Sequence, residues 1–140
     1  MPKPVARNTR QKQAIRDAFI EAGRPLSPEE ALSAAQLHYE ALGIATVYRN
    51  IKSLLAEGWL DPVTLPGQAT RYEVAGKAHH HHFHCRKCGR VFELGTCVGA
   101  VLPKAPRGFR VAGHELMLYG NCNRCAAPRG AATARRRPAR

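Results

Sequence analysis

Apolar positions in the first sixty residues recur with helical spacing. Ile15, Ala18, Phe19 and Ala22 fall at i, i+3, i+4 and i+7, which predicts an amphipathic helix over about 10–22. Thr9 stands where an N-cap belongs, and Gly23 followed by Pro25 ends the helix. Ser27-Pro28-Glu29-Glu30 is a capping box with proline at the first helical position. It opens a second helix running to about Ala41, before Gly43 breaks it. Val47, Ile51, Leu54 and Leu55 form the stripe of a third helix, about Ala45 to Glu57, closed by Gly58. The period then changes. Trp59 to Leu65 and Thr70 to Val74 read as two short strands joined through Pro66-Gly67-Gln68. Three helices and a hairpin in this order make a winged helix-turn-helix, whose third helix enters the major groove of DNA.

Gly76 marks a linker over 75–79. Beyond it, strand signals lie at Phe83-His84, Val91 to Leu94, Phe109 to Val111 and Glu115 to Tyr119. Thr96 to Ala105 is too short and too broken by Gly and Pro for more than one or two helical turns, around Cys97 to Leu102. The fold class is therefore α+β, with a winged-helix DNA-binding domain over 1–75 and a small metal-binding domain over 76–127. The second domain has a thin core, which suits a unit stapled by zinc.

Charge changes the picture in one respect. The formal net charge of +12 points to a polyanionic partner. Residues 128–140 hold five arginines and no acid; residues 1–60 hold eight basic and six acidic side chains, a net of +2. The winged helix must therefore meet DNA by placement of its cations, not by bulk charge. The tail over 128–140, rich in Ala, Arg and Pro, is expected to be disordered. No apolar run reaches membrane-spanning length and no secretory leader is visible, so a soluble cytoplasmic protein without a membrane partner is expected. In that reducing compartment paired cysteines are metal ligands far more often than disulfides.

Cys85-x-x-Cys88-Gly89 and Cys122-x-x-Cys125 supply four thiolates at the spacing of a closed tetrahedral structural zinc site. His79 to His82 stand outside it. Alternate residues of an extended strand share a face, so His80 and His82 point one way and His79 and His81 the other. One segment can then feed two further metal sites, with Glu73, Glu93 and His114 as available partners. Imidazole mixed with carboxylate suits Fe(II), Mn(II), Co(II) or Zn(II). No catalytic motif or paired general acid and base accompanies these histidines, so an enzyme is not expected.

These residues resemble the ferric uptake regulator (Fur) family. Gly43-Ile44-Ala45-Thr46-Val47-Tyr48-Arg49 is similar to its recognition-helix signature. His79 to His82 followed by Cys85-x-x-Cys88-Gly89-Arg90-Val91-x-Glu93 is similar to its metal-binding signature, and Leu118-Tyr119-Gly120-x-Cys122-x-x-Cys125 to its C-terminal end. The resemblance spans about residues 5 to 126. It implies a homodimeric, metal-dependent transcriptional repressor of metal-uptake or homeostasis genes, with the second domain serving dimerisation, acting on an A/T-rich inverted repeat in double-stranded DNA. Carried over residue by residue, Arg7, Thr46, Tyr48 and Arg49 contact DNA. Glu73, His80, His82 and Glu93 form the regulatory metal site, and His79, His81 and His114 a further one.

The chain departs from the family pattern in three places. A histidine usual before the second helix is missing, where Gly23-Arg24-Pro25-Leu26 stands, and His38 is a poor substitute. The glutamate that completes the further site is replaced by a shortened segment carrying Cys97, read here as an ordinary small apolar residue rather than a soft ligand. The stretch before Thr9 is short for a preceding helix. Iron is the expected regulatory metal beside structural zinc. Alternatives are a zinc- or manganese-responsive or peroxide-sensing member, or a zinc-stapled DNA-binding module without a sensing role.

Overall fold

The computed structural model describes residues 4–95, 97 and 102–126. Its elements are α1 (Pro4–Ala22), α2 (Pro28–Ala35), α3 (Ile44–Ala56), β1 (Leu60–Val63), β2 (Arg71–Val74), β3 (His81–Cys85), β4 (Val91–Leu94) and β5 (Met117–Gly120).

The apolar stripes meet as their spacing demands. Ile15, Ala18 and Phe19 of α1 pack with Ala31 and Ala35 of α2, and with Val47, Ile51 and Leu54 of α3, in one buried cluster. α1 begins at Pro4, where a proline lacks only an N–H that no intrahelical partner needs. Thr9 thus lies inside the helix instead of capping it, and the short leader is absorbed. α2 ends at Ala35, not Ala41. Beyond its end the chain turns back and buries Leu42, which is 3% exposed, while Leu37 in the turn lies 85% exposed. The Gln36 side chain donates to the Leu42 carbonyl at 3.0 Å and holds that turn. Gly58, at φ 72°, follows α3 in the left-handed region, where a side chain would be strained.

The capping box forms as read. Glu30 N donates to Ser27 Oγ at 3.1 Å, and Ser27 N to Glu30 Oε1 at 3.4 Å. Ser27→Ala is expected to cost about 1 kcal/mol of stability, the usual worth of such a cap, read as a lowered urea midpoint at unchanged slope.

β1 and β2 pair antiparallel from Leu60↔Val74 to Val63↔Arg71 and form the wing. Leu26 bridges Tyr72 and ties the α1–α2 loop to it. The second sheet has the order β4-β3-β5, with β3 antiparallel to β4 and parallel to β5. Phe109 and Val111 form no strand; each is 70% exposed. The strand expected at Glu115 to Tyr119 is β5, shifted toward the C-terminus. The expected turns around Cys97 to Leu102 and the basic tail fall largely or wholly outside the described residues.

This topology distributes the donors. Because β3 and β5 run parallel, Cys85 pairs with Gly120, and Cys122 follows at the same end of the sheet. At the opposite end His82 pairs with Met117 and His81 with Leu94, so the residues before β5 and after β4 gather around the histidines. The second half buries little apolar surface: among described hydrophobic residues only Cys85, Val91 and Cys122 are buried there. Arg71 of the wing donates to the Gly89 carbonyl at 2.6 Å and joins the two halves. No helix among the described residues is long and apolar enough to cross a membrane.

Candidate metal centres and nucleic-acid face

Among the described residues three groups of donor atoms converge, each within 4.8 Å of one another. The first holds Cys85, Cys88, Cys122 and Cys125. Two tight turns carry it, one after β3 and one after β5. Cys88 Sγ and Cys122 Sγ lie 3.9 Å apart, close to the ~3.8 Å edge of a tetrahedron with Zn–S bonds of about 2.3 Å. The fit to zinc is good. The amide of Cys88, then that of Cys122, point at Cys85 Sγ and pull its thiol down to about 6. Burial, and then the neighbouring thiols, push Cys125 up to about 12. The turn thus offers a ready thiolate, and a cation must displace a proton to recruit the last one.

The second group is Glu73, His80 and His82. Glu73 Oε1 lies 2.9 Å from His80 Nε2, Glu73 Oε2 lies 3.1 Å from His82 Nε2, and the two Nε2 atoms are 3.2 Å apart. The His80 Nδ1–H donates to the Ala78 carbonyl at 2.8 Å, which in the neutral ring turns the Nε2 lone pair into the cluster. A lone pair facing a carboxylate needs a cation between them, or a proton on the ring. Burial alone would lower His80, but the Ala78 carbonyl and the Glu73 carboxylate outweigh it and raise its pKa. Burial likewise works against ionised Glu73, and His82, then His80, outweigh it to hold the carboxyl low. The pocket thus attracts positive charge. Glu93 pairs with His82 across the strands yet stands outside the group, its Oε2 accepting from Lys77 Nζ at 2.6 Å.

The third group is His79, His81, Cys97 and His114. Cys97, weighed in the sequence as a soft ligand of this group but read as an ordinary small apolar residue, joins it. The residue is exposed rather than tucked into apolar packing, and its spacing in sequence carries no motif that would have announced it. Arg24, where a histidine was missed, pairs with Glu30 at 2.6 Å. His38 pairs with Glu21 at 3.0 Å and belongs to none of the three groups.

α3 turns Tyr48 and Arg49 outward. Tyr48 is 50% exposed, so it is no core aromatic, and its hydroxyl donates to Glu29 Oε1 at 3.2 Å. That carboxylate raises the Tyr48 pKa. Arg49 donates to Thr46 Oγ1 at 3.1 Å, and Arg7 is exposed on α1.

A helix-turn-helix with its third helix bare, joined by the wing to a sheet bearing metal-type donor clusters, places the molecule among metal-responsive winged-helix transcription regulators. The chain belongs to the ferric uptake regulator family, whose model matches residues 4–119. The ferric uptake regulation protein of Helicobacter pylori is 30% identical over 124 residues, covering 85% of this chain and 81% of that protein. The zinc uptake regulation protein of Mycobacterium tuberculosis is 29% identical over 122 residues, covering 85% of this chain and 94% of that protein. A solved structure of the Helicobacter pylori ferric uptake regulator, described as revealing three functional metal binding sites, superposes with a TM-score of 0.58 at 23% identity. That likeness of fold covers 82% of this chain and 79% of the other.

Proposed function

We propose that this protein is a cytoplasmic, iron-responsive homodimeric repressor, and not an enzyme, in which Fe(II) at Glu73, His80 and His82 controls binding to an A/T-rich inverted repeat. The observation that carries the reading is the position of Glu73. It sits on β2 of the wing, while both histidines belong to the β3 segment of the second sheet, so one cation grips both halves. A metal there favours the arrangement in which wing and sheet are held together, and shifts the population toward it. Carboxylate with two imidazoles is a donor set for iron or manganese. Glu93 completes it on exchanging Lys77 for the metal.

The other assignments follow the same logic. Cys85, Cys88, Cys122 and Cys125 hold structural zinc. The domain division at residues 75 and 76 separates the wing from the linker to the sheet. Phe109, Val111, Leu118 and Tyr119 are exposed apolar side chains of the second half, suited to cover by a second copy. Thr46, Tyr48, Arg49 and Arg7 make the DNA contacts. The Tyr48 ring supplies apolar contact to thymine methyl groups, which the major groove displays. Tyr48→Ala is expected to relax sequence preference while leaving the melting temperature unchanged, because the ring is half exposed; equal discrimination by both proteins would remove α3 from the recognition role.

Fluorescence anisotropy of an A/T-rich inverted-repeat duplex tests the whole reading, with zinc-loaded protein titrated with Fe(II), Mn(II) and Zn(II) at fixed salt. Tightening by Fe(II) or Mn(II) of about 5- to 150-fold, the usual range of such coupling, is expected. Equal affinity with and without metal would leave only a zinc-stapled DNA-binding protein.

A further inference from the structure

The third donor group has geometry that hydrogen bonding does not explain. His79 Nε2 lies 3.2 Å from His81 Nε2 and 3.1 Å from His114 Nε2, and the last two are 3.1 Å apart. Each Nε2 carries either one hydrogen or one lone pair, never both. A triangle of three such nitrogens therefore leaves at least one edge as two lone pairs, or two N–H groups, pressed together. Cys97 Sγ closes on the same centre, 3.4 Å from His81 Nε2 and 3.3 Å from His114 Nε2. With Zn–N near 2.05 Å and Zn–S near 2.3 Å, tetrahedral edges are about 3.3 Å for N–N and about 3.6 Å for N–S. The observed spacings are those edges, slightly contracted.

We propose that Cys97 is the fourth ligand of this cluster, making it a three-imidazole, one-thiolate site that takes zinc in preference to iron or manganese. A thiolate is a soft donor that selects zinc-class cations, whereas Glu73 on the other face of the histidine segment presents hard oxygen. The two faces of one strand thereby sort two metals. His80 and His82 serve the oxygen-bearing site, His79 and His81 the sulfur-bearing one. Cys97 follows β4 and His114 precedes β5, so zinc bound here pins both ends of the β4–β5 connection to β3. The assignment deepens the metal-responsive reading, in that both need this strand to carry metal, but each has its own readout.

Full-length protein with its four-cysteine site zinc-filled, and its Cys97→Ser variant, would be titrated with Co(II) and followed by absorption. The wild type is expected to gain an intense near-ultraviolet thiolate-to-cobalt band that saturates at one equivalent. The variant loses it, and its zinc affinity by competition falls at least about tenfold, since even outer-shell changes cost that much. Exchange into the four-cysteine site would give the same band in both proteins, so identical spectra overturn the proposal. His79→Gln, which leaves every thiol in place, should also weaken the band; a band untouched by it assigns the sulfur to another site. Cys97→Asp should restore cation binding without the band and move preference toward Mn(II). DNA anisotropy on Cys97→Ser separates the two readings: a retained Fe(II) response with the band lost shows two independent sites. A band present in wild type that shows no metal effect on DNA rejects the regulatory reading alone.

Discussion

Cys122→Ser is expected to melt the β4-β3-β5 sheet at temperatures where the helical half stays folded. The core of the first half comprises apolar side chains from all three helices and needs no cation. The second half has strands of four and five residues and few buried hydrophobic side chains. Such a sheet lacks the apolar burial to offset its chain entropy. Metal supplies the difference: apparent binding free energies for structural zinc in small domains are about 10–16 kcal/mol at neutral pH. Cys122 is central to the closure, since its amide also donates to Cys85 Sγ at 3.3 Å and links the turn after β5 to the turn after β3. Calorimetry should show one broad low-temperature transition added in the variant, with zinc content halved or lost. A single unchanged transition would disprove the structural role. Proton competition adds a second check. Cys125, pushed up to about 12, must give up its proton on binding, so zinc affinity of the refolding protein should rise with pH and each loading event release protons.

The legible parts of the chain were those in which a few neighbours decide the outcome. Helical stripes, the Ser27 capping box and the Cys-x-x-Cys spacing are local patterns, and they form. Alternation along the histidine run was equally local: His80 and His82 meet on one side, His79 and His81 on the other, although β3 itself begins only at His81. What the sequence withheld depends on distant parts. Phe109 to Val111 has strand composition but finds no strand partner among the described residues. α2 stops early, and Leu42, not Leu37, reaches the core. Glu93 has its place opposite His82, yet Lys77 occupies its carboxylate, a competition that no spacing rule reveals. Cys97 joins the third group because β4, antiparallel to β3, ends opposite His81, while β5, parallel to β3, brings His114 to the same end of the sheet. A residue seventeen positions from His114 and sixteen from His81 carries no periodic signal.

Glu73→Ala is expected to abolish the metal dependence of DNA binding while leaving metal-free binding intact. Glu73 is 6% exposed and supplies the carboxylate of its cluster, so its loss removes both the negative charge and the link between wing and sheet. Affinity for the regulatory cation should fall by about 10- to 100-fold or more, by analogy with the loss of mere supporting groups. Even at saturating metal no tightening on DNA should follow, because His80 and His82 both lie on the sheet side. A variant that still responds would place the coupling elsewhere. The pH dependence has a definite sign. In protein with zinc at the four cysteines and no metal at Glu73, the raised pKa of His80 adds stability below its ordinary 6.5, lost as pH rises through the raised value. The lowered pKa of Glu73 adds stability above its ordinary 4.5, lost as pH falls through the lowered value. The ion pair therefore favours the folded apo state most between those two values, and protons compete with the cation for His80 across the upper edge of that window. Metal should bind the wild type more tightly as pH climbs past it. In Glu73→Ala that slope should shrink, since His80 loses the charge that holds its proton.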